Sequence, residues 1–243
     1  MKFICGAITE QCSNRMHINQ DKFGAVRTLN ADDREIILAL VCDGVSIAYH
    51  SEYASYHTVL RLLRWAEQYF PNTNGFDIQN IAEEIDNELR HCNNLLINFA
   101  EKHSDEYDCC CTVSGIVTDG NEMLFFNAGD SRVYEFDILN KKISCLTRDN
   151  KGEDGFTISM CIGGVNDQDL NITYSTDKYR SQSVYMVCTD GMYSCCDFGN
   201  WADYLKNSRS KQEIINILRQ MLKSVRNDGE TDDVTAIAVV SHI

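Results

Sequence analysis

Apolar residues in this 243-residue chain recur in two rhythms, and the order of those rhythms confines the fold more than any other feature. Short apolar and β-branched runs come first, at Phe3–Thr9, Phe23–Thr28 and Glu35–Cys42, and read as strands. Two helical stretches follow. Ser55, Val59, Leu62, Ala66 and Tyr69 recur at spacings of three and four, and so do Ile78, Ile81, Ile85, Leu89, Cys92, Leu95 and Phe99. The only proline, Pro71, lies between them with Asn72, Asn74 and Gly75 and marks a helix–helix connection. Strand-like runs then resume at Cys110–Thr118, Glu122–Asn127, Arg132–Asp137, Lys142–Leu146, Leu170–Ser175 and Ser183–Thr189, with Asp119-Gly120 as a hairpin turn. A last helix carries Ile214, Ile217, Met221 and Val225 behind a Ser210-x-x-Glu213 capping pattern, and Asp233–Val240 closes the chain as a strand. Hairpin-linked strands with helices in blocks predict an α+β domain of antiparallel sheets covered by helices. No repeat, low-complexity tract or linker divides the chain, so residues 1–243 are expected to form one domain.

Composition narrows the function. A net charge of −14 without a basic cluster argues against nucleic-acid binding. No stretch reaches the roughly 18 apolar residues a membrane-spanning helix needs, and Met1-Lys2-Phe3-Ile4-Cys5 soon turns polar, so neither a membrane span nor a signal peptide is expected. The 12 cysteines include the consecutive Cys109-Cys110-Cys111 and adjacent Cys195-Cys196, and others lie inside apolar runs; no C-x-x-C pair occurs. They read as small buried hydrophobes of a cytoplasmic, reduced protein.

Four acidic blocks carry the chemistry: Asn19-Gln20-Asp21, Asp43-Gly44, Asp190-Gly191 and Asp232-Asp233, each at the edge of a strand-like run. A further aspartate, Asp130, sits in the link between two strands. Carboxylates that converge from separate strands repel one another unless they share a hard divalent cation with oxygen ligands, Mg²⁺ or Mn²⁺.

These blocks together resemble the metal-dependent protein phosphatases of the PP2C (PPM) family, over almost the whole chain. Asn19-Gln20-Asp21 resembles N-(E/Q)-D. Asp43-Gly44 with Ser51-Glu52-Tyr53-Ala54-Ser55 resembles D-G-x-G-G…G-E-x-A-S at equal spacing. Gly129-Asp130-Ser131-Arg132 matches G-D-S-R, Thr189-Asp190-Gly191-Met192 resembles S-D-G-L, and Asp232-Asp233-Val234-Thr235 resembles D-N-(I/V)-T. The resemblance implies a four-layer α-β-β-α sandwich of two antiparallel sheets flanked by helices, with metals at one edge. It implies that Asp43 bridges two Mg²⁺ or Mn²⁺ ions and that the Gly44 carbonyl ligates one. Asp190 and Asp232 would complete the first ion's ligands, and Asp21 would orient water around the second. Asp130 would share a weaker third site with Asp190. A water activated between two ions would attack the phosphorus of a phosphoserine or phosphothreonine without a covalent enzyme intermediate. The partners implied are phosphorylated proteins, the products of a serine/threonine kinase, acted on by a monomer.

The chain departs from the family pattern at several positions. The arginine that grips the phosphate usually stands five residues before the aspartate of N-(E/Q)-D; here that position is Met16, and Arg15 is the candidate phosphate ligand. The residues after Asp43-Gly44 are Val45, Ser46 and Ile47, without the usual glycine pair and without the histidine of many eukaryotic members. His50 is the nearest alternative proton donor. The flap region, about residues 147–165, is short: only Lys151–Ile158 separates Leu146-Thr147-Arg148-Asp149-Asn150 from Ser159–Gly163. A reduced flap is expected to leave the site open. Two other readings stand beside the leading one: a phosphatase-like module that binds phosphorylated partners with weak turnover, and a phosphoesterase acting on small phosphates.

Overall fold

The computed structural model describes residues 2–12, 18–103, 108–155 and 157–242. One sheet has the strand order β1 (Lys2–Glu10), β10 (Val234–His242), β9 (Ser183–Cys188), β6 (Arg132–Asp137) and β7 (Lys142–Cys145). The other runs β2 (Lys22–Leu29), β3 (Glu35–Cys42), β4 (Val113–Thr118), β5 (Glu122–Ala128) and β8 (Thr173–Lys178). Every neighbouring pair is antiparallel. Helices α1 (Ser51–Tyr69) and α2 (Ile78–His103) cover the second sheet, and α5 (Lys211–Asn227) covers the first. The short helices α3 (Asp190–Tyr193) and α4 (Ala202–Asn207) complete the set.

The four-layer sandwich follows from the period-2 alternation of the strands. In β3, Ile37, Ala39 and Val41 face the other sheet and meet Val187, Ile237 and Val239. Their neighbours Ile36, Leu38 and Leu40 face the helices and meet Ala54, Leu62, Ile85 and Leu89. In β9, Tyr185 and Val187 point inward, whereas Val184, Met186 and Cys188 pack beneath Ile214, Leu218 and Met221 of α5. β3 and β9 are therefore apolar on both faces, the pattern expected of a doubly covered sheet. Eight of the twelve cysteines are buried. Among the described residues no helix is long and apolar enough to cross a membrane.

Pairing register decides where the acidic blocks end up. Lys22 lies opposite Cys42, Glu10 opposite Val234, and Cys188 opposite both Ala236 and Arg132. The ends carrying Asp21, Asp43, Asp130, Asp190 and Asp232 thus all fall at one edge of the sandwich. Two expected strand starts moved by three residues. The strand expected from Leu170 begins at Thr173, because Leu170 and Ile172 are used as buried packing against the helix layer. Cys110 and Cys111 precede β4 instead of forming its start; Cys111 makes single bridges to Gly44 and Ile162.

Candidate metal centre

Each aspartate is held by backbone that has little freedom. Asp43 follows β3, where its N–H donates to Thr112 Oγ1 at 3.1 Å and its carbonyl accepts from Thr112 N–H at 2.7 Å. Gly44 presses on the start of α1: a Cβ there would lie 2.9 Å from the Ser51 backbone, so no larger residue fits. Gly191 is confined in the same way, with Asp233 O 2.1 Å from where a Cβ would stand. Asp21 is 1% exposed. Its N–H donates to Asn19 Oδ1 at 2.9 Å, and its Oδ2 accepts from Thr189 Oγ1 at 2.8 Å. Asp130 is 6% exposed and lies beside Lys151. Arg226 fixes Asp232 from behind by donating to its carbonyl at 2.6 Å.

The electrostatics register the crowding. Burial first, then the charges of Asp21, Asp190, Asp130 and Asp232, hold the Asp43 carboxyl well above the usual carboxylate range. Burial pushes Asp21 to about 7 against the hydrogen bond from Thr189. Burial, with Asp130 and Asp232 adding to it, pushes Asp190 to about 6. Asp130 is raised by burial, with Lys151 opposing. Two oxygens in this group, Asp21 Oδ1 and Asp190 Oδ1, are buried without a hydrogen-bond donor. A buried carboxylate oxygen left without a partner costs several kcal/mol in a folded protein unless a cation or proton compensates it.

These oxygens fit a divalent cation: they are hard donors, oriented from rigid strand ends, and lack other partners. The carboxylates are neighbours rather than a closed cage; among the described residues no three His, Cys, Asp or Glu side chains are preassembled around a single point. A metal that keeps several waters and takes a backbone carbonyl needs few direct carboxylates, so the open arrangement suits Mg²⁺ or Mn²⁺ better than an all-protein cage.

Six of the seven candidate metal and phosphate ligands, Asp21, Asp43, Gly44, Asp130, Asp190 and Asp232, come to this one edge. Arg15 lies outside the described residues, in the segment 13–17. His50 sits at the start of α1 with φ 48°, and its Nδ1 lies 2.8 Å from Glu52 Oε1. Sequence reasoning passed over three supports. Asp233 accepts the backbone N–H of Cys12 and of Gln20, each at 2.9 Å, and so pins both stems of the segment that contains Arg15. Its signal was the aspartate standing where the D-N-(I/V)-T pattern has asparagine. Thr189 aims Asp21, and its signal was the hydroxyl conserved in type against S-D-G-L. Lys151 had no signal in the motifs. A cavity of about 520 Å³ between α1 and α2, lined by His57, Arg61, Trp65 and Glu88, contains none of the aspartates.

Comparison with known proteins agrees with this architecture. The sequence pattern of the family described as protein phosphatase 2C matches residues 10–237. No curated protein matches the chain at a significant level. Among solved structures, the serine/threonine phosphatase of S. agalactiae is similar with a TM-score of 0.79 at 17% identity, covering 99% of this chain and 100% of that one. PppA, described as a key regulatory component of T6SS in Pseudomonas aeruginosa, is similar with a TM-score of 0.78 at 16% identity, covering 100% and 99%. The catalytic domain of the serine threonine protein phosphatase PstP, in complex with 2 manganese ions, is similar with a TM-score of 0.72 at 18% identity, covering 99% and 100%. At such identities the structural likeness is one of fold.

Proposed function

Because the chain belongs to the protein phosphatase 2C family, whose members are protein serine/threonine phosphatases that use Mg²⁺ or Mn²⁺, we propose that it dephosphorylates phosphoserine and phosphothreonine in proteins at a two-ion centre built from its strand-end aspartates. The observation that carries this reading is the pair of buried, donor-less oxygens, Asp21 Oδ1 and Asp190 Oδ1, beside Asp43, whose carboxyl is raised by burial and by its aspartate neighbours. Asp43 would stand between the two ions, with the Gly44 carbonyl, Asp190 and Asp232 completing one side and Asp21 the other. When bound, the ions supply a water acidified to near neutral pH and charge compensation for the phosphoryl oxygens.

The protein's own residues set the geometry. Thr189 fixes the direction of Asp21, and Thr112 fixes the backbone of Asp43. Asp233 holds the stems on either side of Arg15, which would grip the phosphoryl oxygens as a planar fork donor. Residues 1–243 would act as one domain with a shortened flap at about 147–165, as a cytoplasmic monomer that reverses a serine/threonine kinase. A site left open by a short flap would fit protein substrates, whose phosphorylated side chain must reach the edge of the sandwich from outside.

A panel of phosphoserine, phosphothreonine and phosphotyrosine peptides, with para-nitrophenyl phosphate alongside, tests the reading. Phosphoserine and phosphothreonine peptides should be hydrolysed with Mn²⁺ and not with EDTA. Hydrolysis of small phosphates alone would favour a general phosphoesterase, and binding of phosphopeptides without turnover would favour a recognition module.

A further inference from the structure

The eight residues that replace a longer flap do more than close a gap. Lys151 and Ile158 pair in an antiparallel bridge, and Gly152 N–H donates to Thr157 O at 2.7 Å, so the segment is a small turn of its own. Asn150 fastens this turn to the link that carries Asp130: its N–H donates to Gly129 O at 2.8 Å, and its Oδ1 accepts from Gly129 N–H at 3.0 Å. The fastening places the Lys151 ammonium 3.6 Å from Asp130 Oδ2 and 3.7 Å from Asp149 Oδ2.

Arg132, the other cation nearby, is committed elsewhere. It donates to both oxygens of Asp149, at 2.9 and 2.8 Å, and its guanidinium lies 3.9 Å above the ring of Tyr193. Tyr193 in turn donates to the Asp130 carbonyl at 2.9 Å, which fixes the backbone but leaves the carboxylate to Lys151. Asp130 is buried, whereas the Lys151 side chain keeps 31% of its surface and reaches Asp130 from the solvent side.

Resting on the phosphatase reading above, we propose that Lys151 is a built-in cation at the outer end of the aspartate group, occupying the place from which Asp130 and Asp190 would otherwise hold a third divalent ion. An ammonium at that distance from Asp130 and a divalent ion bound to the same carboxylate would repel each other strongly, so one excludes the other. A tethered charge is present at every metal concentration, which a weakly held ion is not. The centre therefore works with two exchangeable ions and one fixed charge.

Counting bound ions tests this without recourse to activity. The full chain, stripped of metal, is titrated with Mn²⁺, with stoichiometry read by calorimetry and by the electron paramagnetic resonance of free Mn²⁺. Wild type and Lys151→Arg should bind two ions, Lys151→Met should bind three, and Lys151→Met with Asp130→Asn should return to two. Two ions in Lys151→Met would overturn the inference and leave the phosphatase reading standing. Three ions in wild type, falling to two in Asp130→Asn, would overturn it equally. No bound Mn²⁺ in any variant would overturn the phosphatase reading and the inference with it.

Discussion

Asp21 is a poor choice for stability and a good one for binding a cation. Its carboxyl is 1% exposed, one oxygen has no donor, and its pKa is pushed to about 7. Asp190 repeats the pattern with a pKa of about 6. Groups in such surroundings cost stability in the metal-free protein and recover it when a cation arrives. Arg15 is a different kind of residue, since a guanidinium grips ground-state and transition-state phosphoryl oxygens alike and its loss is expected mainly in KM. A charge-assisted bidentate contact contributes about 2 kcal/mol, so Arg15→Ala should raise KM for a phosphopeptide by roughly thirtyfold and leave kcat near wild type. An unchanged KM under steady-state kinetics would remove Arg15 from the phosphate site.

At the scale of elements, Asp233 ties the end of β1 to the start of β2 through Cys12 and Gln20. Each backbone hydrogen bond to a charged group contributes about 1.5–3 kcal/mol. Asp233→Ala should therefore speed amide exchange at Cys12 and Gln20 by at least about tenfold while leaving β3 protected. Equal protection in variant and wild type would show that the clamp is redundant. The strands were legible as apolar or β-branched runs bounded by turn residues, and the helix pair around Pro71 and α5 because their apolar residues recur at spacings of three and four. Ser210 caps α5 as its pattern predicts, accepting from Glu213 N–H at 3.2 Å, although Glu213 reaches back to the N–H of Arg209 rather than that of Ser210. The short helices α3 and α4 span 4 and 6 residues and carry too little periodicity to read. The aspartates of the site were legible because strand ends fix them in sequence as well as in space. Lys151 was not, because its position depends on how Asn150 fastens a turn to a strand link 21 residues earlier in the chain.

At the scale of the whole molecule, a net charge of −14 and a buried acidic group make the metal-free protein sensitive to pH. Folded Asp21 and Asp190 hold protons up to about 7 and about 6, whereas the unfolded chain releases them near 3.9. Folding then takes up protons between these values, so stability is greatest below the unfolded pKa and falls as pH rises through the folded ones. In EDTA the melting temperature should be higher at pH 5 than at pH 7.5. Mn²⁺ should raise it more at pH 7.5, where ions no longer compete with protons for the carboxylates. A metal-free protein more stable at pH 7.5 than at pH 5 would count against this linkage. The central claim is that Asp43 joins two ions into one centre, and it is tested most directly by Mn²⁺-dependent hydrolysis of a phosphothreonine peptide by Asp43→Ala beside wild type. With circular dichroism confirming the fold of both, hydrolysis by Asp43→Ala should fall to the EDTA background at every Mn²⁺ concentration. Substantial Mn²⁺-dependent turnover by the folded variant would contradict the account.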